Sequence, residues 1–182
     1  AKIDFLVKPS RIDEEPIKKS AMVEKTAVQD IAILLAEIKG AQISQQFPDD
    51  FIISSDQLLE FNGHFFSKPE SLEQAKTQLT ALQGSTHTLH TSVMVFSDSQ
   101  RIWHHLSSPK ITLRPLTNIE IDEYIKDVGD SALKTPGCYQ IENQGCHIIS
   151  KYTGSFFDIL GLPILPLLEF LRLHGLRVQN EK

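Results

Sequence analysis

Apolar residues recur at intervals of three and four positions in several stretches of the chain. In the first of these stretches, Val28, Ile31, Leu35 and Ile38 fall on one face of a helix. Two later stretches begin with a serine or threonine followed three positions on by glutamine or glutamate, the pattern of a capping box. The sequence therefore predicts helices over residues 26–43, 71–82, 117–128 and 164–173.

Short apolar or alternating runs between these helices predict strands, and the acidic stretch 10–16 predicts a loop. The strongest local signal is Asn62-Gly63, because both residues tolerate the positive φ of a tight hairpin. The predicted strands cover residues 3–7, 51–53, 58–61, 64–66, 86–96, 101–113, 139–141 and 147–152. Because helices and hairpins are interspersed, we expect an α/β fold with a mixed sheet flanked by helices, in one domain over residues 1–182.

Composition narrows the class of protein. The hydrophobic fraction of 41% is enough for a core, and the net charge of -5 argues against a general nucleic-acid binder. No apolar run is long enough for a membrane span, and residues 1–8 do not form a signal peptide, so a cytoplasmic location is the expectation. The two cysteines, Cys138 and Cys146, lack zinc-site spacing and are expected to be reduced and buried.

Two residues near the first hairpin are candidates for chemistry. Asp56 comes soon after the apolar strand 51–53, which would place its carboxylate at the edge of the sheet. Lys68 precedes Pro69, which favours an extended backbone, and its ammonium could reach a phosphate oxygen. Each also has an ordinary interpretation, as a turn aspartate and a solvated lysine.

Three further charged residues are candidates at other positions. Glu14 lies in an acidic group and, with Asp56, could hold a Mg²⁺ ion through carboxylate oxygens. Lys39 lies near the end of the long helix, and Glu142 follows a predicted strand, where its carboxylate could contact a base. Solvated surface residues remain the alternative for all three.

Several short motifs occur in a fixed order along the chain. They are Ser54-Ser55-Asp56-Gln57, Asn62-Gly63, Lys68-Pro69, residues 82–87, Arg114-Pro115-Leu116, residues 137–142 and Gly161-Leu162-Pro163. Each motif is weak alone, but the ordered set resembles the Maf family of nucleotide pyrophosphatases over nearly the whole chain.

This resemblance implies a fold like that of inosine-triphosphate pyrophosphatases, with two lobes around a cleft, and a homodimer. It implies Mg²⁺- or Mn²⁺-dependent hydrolysis of a nucleoside triphosphate to a monophosphate and pyrophosphate. By matching motif, Asp56 resembles the catalytic carboxylate that helps to bind the metal and activates water, and Glu14 the acidic residue beside it. Lys68 and Lys39 match lysines that bind the substrate.

Two positions bear on the base that is recognised. Gln57 and Glu142 stand where the branch that acts on dTTP and UTP has threonine and glutamine. The pair is more similar to the branch that acts on 7-methyl-GTP, and a carboxylate suits a positively charged base. We therefore expect 7-methyl-GTP as the substrate, with dTTP or UTP as the alternative.

One motif of the family does not occur in the sequence. The Ser- and Arg-rich loop that precedes the first matched residues in the family, and that grips the triphosphate, is not found between Ala1 and Lys182. Contacts of this kind contribute about 1.5–3 kcal/mol each, so we expect reduced activity for this chain. A nucleotide-binding regulator without turnover, connected with septum formation, is the other hypothesis.

Overall fold

The computed structural model describes residues 3–175, and a six-stranded sheet forms its centre. The strand order is β2-β1-β3-β5-β6, with β4 paired to β3, and every ladder among the described strands is antiparallel. The strands are β1 (Ile52–Phe61), β2 (His64–Phe66), β3 (Thr86–Ser97), β4 (Gln100–Ser107), β5 (Lys110–Leu113) and β6 (Ile149–Thr153). The helices are α1 (Glu14–Val23), α2 (Val28–Ser44), α3 (Leu72–Leu82), α4 (Asn118–Val128), α5 (Phe156–Ile159) and α6 (Ile164–Leu173).

Helices cover both faces of this sheet. On one face, α1 and α2 pack against alternate side chains of β1 and β3, such as Leu58 and Met94. On the other face, α3 and α4 pack around Leu59 and Leu89, and α6 packs on Val93. Neighbouring residues of β1 therefore point into different environments, because side chains alternate along a strand.

The α/β class predicted from the sequence, with helices flanking one sheet, is confirmed, but the sheet is antiparallel in every described ladder and not mixed as expected. The four predicted helices correspond to α2, α3, α4 and α6, with boundaries displaced by at most two residues. The Asn62-Gly63 hairpin is also present, and both residues have positive φ, 53° and 78°. At α4, the Thr117 hydroxyl accepts from the Glu120 amide and the Glu120 carboxylate accepts from the Thr117 amide, so the capping box is complete.

The prediction of a loop over residues 10–16 is wrong from Glu14 onward, where α1 begins. The Asp13 carboxylate accepts from the Glu15 amide and caps the helix. Pro16 lies in the first turn, where its missing N–H removes no helical hydrogen bond. Acidic residues and a proline therefore mark the start of a helix here, although the same residue types are also common in loops.

Five of the strand predictions also differ from the structure. Residues 3–7 form no ladder in the described part of the chain, and Phe5, Leu6 and Val7 are exposed. The runs 51–53 and 58–61 are one continuous strand, β1, because β3 pairs with it from Ile52 to Glu60.

The predicted strand 101–113 divides at Pro109, which has no N–H to donate to a ladder, and β3 pairs with its two halves in turn. Residues 139–141 are not a strand: a turn leads from them into a 3₁₀-helix, Gln144–His147. There the Gln140 carbonyl accepts from the amides of Asn143 and Gly145, so local turn bonds replace a strand partner.

Both cysteines are free, as expected, but only Cys138 is buried, and Cys146 is exposed. Burial raises the pKa of the Cys138 thiol to about 12, so this side chain stays protonated and packs as an apolar group. Among the described helices, none combines the length and hydropathy that crossing a membrane requires.

Candidate functional site

Four charged side chains meet on the face of the sheet that α1 and α2 cover. We call Glu14, Lys18, Lys39 and Asp56 the charged cluster. Glu14 and Lys18 lie one turn apart on α1, Lys39 lies on α2, and Asp56 lies in the middle of β1. The cluster therefore joins three elements that are distant in sequence.

Packing between α2 and β1 determines where Lys39 and Asp56 meet. The Ser54 hydroxyl on β1 donates a hydrogen bond of 2.8 Å to the Ala36 carbonyl on α2. Asp56 is two residues after Ser54 and points to the same side of the strand, and Lys39 is three residues after Ala36 on the same side of the helix. Gly40, the next residue of α2, lies so close to β1 that it has no room for a side chain.

The Lys39 ammonium lies between the two carboxylates of the cluster. It donates to Asp56 Oδ1, and its Nζ is 2.6 Å from Glu14 Oε1. Lys18 Nζ is 2.7 Å from the second oxygen, Glu14 Oε2. The Asp56 side chain is only 9% exposed, and that of Glu14 is 32% exposed. Two positive and two negative charges therefore balance at the boundary between core and solvent.

The pKa values in the cluster follow from burial and hydrogen bonding. Burial opposes the charged form of Glu14, but the hydrogen bonds from Lys18 and Lys39 outweigh it and lower its pKa. Burial likewise opposes the charge of Lys39, and its bonds to both carboxylates outweigh that effect and raise its pKa. At Asp56, burial dominates over the bond from Lys39 and raises the pKa of the carboxyl group. Asp56 is therefore a stronger base than an ordinary aspartate.

The donor set of the cluster suits a hard divalent cation. Glu14 Oε1 and Asp56 Oδ1 both contact one ammonium nitrogen, so one ion at that position would reach both oxygens. No group of three His, Cys, Asp or Glu side chains suitable for a metal occurs in residues 3–175. Mg²⁺ does not need such a cage, because it is commonly bound by one or two carboxylates together with substrate phosphates and water.

The structure brings Glu14, Lys39 and Asp56 into contact, and no hydrogen bond or ion pair among the described residues joins the other three predicted site residues to them. Lys68 is exposed on the loop between β2 and α3 and is not part of the charged cluster. The Gln57 amide points to the opposite face of β1 from Asp56, where it donates to Thr91 Oγ1 at 2.7 Å and the Asp158 carbonyl at 3.0 Å. In this geometry Gln57 holds the chain around α5 against the sheet.

Glu142 is exposed in the turn before the 3₁₀-helix Gln144–His147. Beside this turn lies an open cavity of about 500 Å³. The end of α4 and two 3₁₀-helices, Gly129–Leu133 and Gln144–His147, line it with amide, hydroxyl and carboxylate groups. Glu142 itself does not line the cavity, although Gln140 and Asn143 of the same turn do.

Lys18 belongs to the site and was not identified from the sequence. Its spacing of four residues from Glu14 is the signal that could have found it, because such pairs are neighbours on a helix. The signal is informative only once the segment is known to be helical, and the acidic residues with Pro16 led to the prediction of a loop.

Comparison with known proteins identifies the class to which this fold and site belong. A family model described as Maf-like protein matches residues 1–174, and the chain belongs to that family. A nucleoside triphosphate pyrophosphatase of Hyphomonas neptunium is 41% identical over 162 residues, which are 89% of this chain and 81% of the relative. The protein of the same name from Caulobacter vibrioides is 39% identical, with coverage of 90% and 82%. A 7-methyl-GTP pyrophosphatase of Rhizobium johnstonii is 38% identical, with coverage of 94% and 86%.

Proposed function

We propose that this chain is a nucleoside triphosphate pyrophosphatase, which hydrolyses its substrate between the α and β phosphates. The observation that carries the proposal is the Lys39 ammonium held between the carboxylates of Glu14 and Asp56. Membership of the Maf-like family and the names of the three relatives support the same activity.

The charged cluster supplies the groups that this reaction needs. Phosphoryl substitution depends mainly on positioning and on neutralising negative charge. Glu14 and Asp56 would hold a Mg²⁺ or Mn²⁺ ion, and that ion would neutralise negative charge on the phosphate oxygens of the substrate. Lys39 and Lys18 add two ammonium groups for the triphosphate, and Lys68 could add a third from its exposed loop.

Asp56 is the proposed general base. Its carboxylate lies in the charged cluster with only 9% of the side chain exposed, a position that suits a group that takes a proton from the attacking water. The water oxygen forms a new bond to the α phosphorus, and one proton of the water passes to Asp56. The bond from the α phosphorus to the oxygen that bridges the α and β phosphates breaks. The products are a nucleoside monophosphate and pyrophosphate.

We further propose 7-methyl-GTP as the favoured substrate. Glu142 offers an exposed carboxylate to a positively charged base, and the Rhizobium johnstonii relative carries that substrate in its name. Gln57 supports this proposal through its residue type alone, because its amide is bonded on the other face of the sheet.

The test is pyrophosphate release from 7-methyl-GTP, dTTP and UTP with Mg²⁺. Asp56→Asn should lower kcat by a factor on the order of 10² to 10⁴, the usual contribution of a general base. Glu60→Gln is the matched control, because Glu60 is on the same face of β1 but pairs with His90, outside the charged cluster. It should leave kcat within a factor of about two.

The possible results separate the two levels of the proposal. Release from none of the three nucleotides, or equal release by wild type and Asp56→Asn, would refute the activity and favour a nucleotide-binding regulator. A clear preference for dTTP or UTP would retain the activity and refute 7-methyl-GTP as the substrate.

A further inference from the structure

The position that a divalent ion would take between Glu14 and Asp56 is already filled by a side chain of this protein. Lys39 Nζ contacts Oε1 of Glu14 and Oδ1 of Asp56 at the same time. An ammonium group donates hydrogen bonds to the oxygen lone pairs that a metal ion would otherwise use. The ammonium and the ion therefore compete for the same atoms.

Simultaneous occupation would be strongly unfavourable. The cluster is neutral with both lysines present, so a divalent ion would add two positive charges beside the Lys39 ammonium. Repulsion at contact distance is large in a partly buried site, where few water molecules screen it. Lys39 must leave the position before the ion can bind both carboxylates.

Only the end of the Lys39 side chain is free to make this exchange. The backbone of α2 is held on the sheet by the bond from Ser54 to the Ala36 carbonyl and by the close approach of Gly40 to Phe96. The Lys39 side chain is 22% exposed, and rotation about the bonds of its four-carbon stem lets the ammonium move toward solvent. A triphosphate, with several negative charges, would offer that ammonium a new partner.

Lys18 and Lys39 contact different oxygens of Glu14, so Lys18 can serve as a control for the displacement of Lys39 by a metal ion. Lys18 contacts Oε2 of Glu14, whereas Lys39 contacts Oε1, so Lys18 carries the same charge near the site without bridging Glu14 and Asp56. Removing either lysine subtracts one positive charge, but only removal of Lys39 vacates the place between the carboxylates.

We propose that Lys39 excludes free divalent ions from the site, so that metal binds when a triphosphate arrives to take the displaced ammonium. This inference rests on the proposed assignment of Glu14 and Asp56 as metal ligands. It adds an order of events, in which the metal and the nucleotide bind together and the metal alone binds weakly.

The experiment measures Mn²⁺ binding to the full chain without nucleotide, by the loss of the free-ion signal in electron paramagnetic resonance. Lys39→Met should bind Mn²⁺ about 10-fold or more tightly than the wild type, because a competing contact charge is gone. Lys18→Met should change the affinity by about two- to three-fold, the effect of a nearby charge alone. Lys76→Met, which removes an ion pair to Asp122 between α3 and α4, should change nothing.

Equal increases in Mn²⁺ affinity in Lys39→Met and Lys18→Met would overturn the proposal, because the loss of one nearby positive charge would then explain both. Absence of Mn²⁺ binding in every variant would overturn it too, whereas pyrophosphate release by the wild type would still support the proposed activity. If the wild type releases no pyrophosphate but Lys39→Met binds Mn²⁺ more tightly, the exclusion of free metal by Lys39 is supported and the proposed pyrophosphatase activity is refuted.

A second measurement uses only the wild-type protein. In the wild type, acylation of the Lys39 amine by a water-soluble reagent should be slow, and Mg²⁺ with a non-hydrolysable triphosphate should change its rate. The rate at Lys76 is the internal reference. If the acylation rate of Lys39 stays constant when the ion and nucleotide are bound, the displacement of its ammonium by the metal is refuted.

Discussion

Two buried titratable side chains, Asp56 on β1 and His87 on β3, differ in their partners. Asp56 has a lysine beside it and keeps a charge-assisted hydrogen bond. His87 has only the Tyr139 hydroxyl, at Nε2, and its Nδ1 has no hydrogen-bond partner in the described part of the chain. Burial therefore lowers the pKa of His87 to about 4, and the imidazole stays neutral near pH 7.

This difference predicts a pH dependence of stability. In the unfolded chain His87 takes up a proton near its ordinary pKa of 6.5, whereas the buried side chain does so only at about 4. The unfolded state binds more protons in this window, so stability that is complete above pH 6.5 is lost as the pH falls toward 4. The loss from this group amounts to about 3 kcal/mol.

Denaturant unfolding at pH 7, 5.5 and 4 measures the effect. His87→Gln should lose less stability between pH 7 and pH 4 than the wild type, while His64→Gln, at an exposed position on β2, should behave as the wild type does. If the free energy of unfolding falls equally with pH in the wild type and in His87→Gln, the buried imidazole does not cause the loss of stability.

Among the elements, α2 packs closely on β1 and β3 at Gly40. A Cβ added at Gly40 would lie 2.3 Å from Phe96 Cε2 and 2.5 Å from Ser54 Oγ, both far below van der Waals contact. Glycine in a helix interior ordinarily costs about 1 kcal/mol relative to alanine. Here the absence of a side chain lets α2 come close enough to bring Lys39 to Asp56.

Gly40→Ala should therefore destabilise the protein, although alanine is the better helix former. Overpacking costs about 1–3 kcal/mol, and moving α2 away from β1 would also separate Lys39 from Asp56 and lower kcat. Unfolding in denaturant and pyrophosphate release measure the two effects. Adding Phe96→Leu, which removes the obstructing ring, should recover part of the stability in a double-mutant cycle.

A Gly40→Ala protein that is more stable than the wild type would contradict the close packing. So would a double variant whose two effects simply add, because the contact between residue 40 and the Phe96 ring would then carry no energy.

For the whole molecule, the charged cluster depends on α1, α2 and β1 being docked together. The three elements share one apolar cluster that includes Ala21, Ile31 and Leu58, so the site forms only when that cluster packs. A ligand that binds the assembled site should therefore stabilise the entire fold by mass action.

We expect Mg²⁺ with a non-hydrolysable nucleoside triphosphate to raise the Tm. At a ligand concentration of 100 times Kd the gain is about 2.7 kcal/mol, or about 5–10 °C for a chain of this size. Mg²⁺ alone should have little effect if Lys39 excludes it. An unchanged Tm with both ligands present, or the same rise in a Glu14→Gln/Asp56→Asn double variant, would show that the cluster does not bind the metal nucleotide.

The sequence alone was sufficient for the features that short stretches encode. The capping box at Thr117, the Asn62-Gly63 turn and the apolar stripe of α2 each depend on residues within a few positions of one another, and all were predicted. The ordered motifs were likewise sufficient for the family. Local signals failed where one pattern serves two structures, as with the acidic start of α1.

The tertiary structure alone decided which charges meet. Glu14, Lys39 and Asp56 were each predicted as site residues, but no local pattern shows that Lys39 bridges the two carboxylates or that Lys18 joins them. It also decided that Gln57, next to Asp56 in sequence, faces the other side of the sheet. The physical reason is that these contacts depend on how α1 and α2 dock on β1, and docking is determined by packing between residues far apart in the chain.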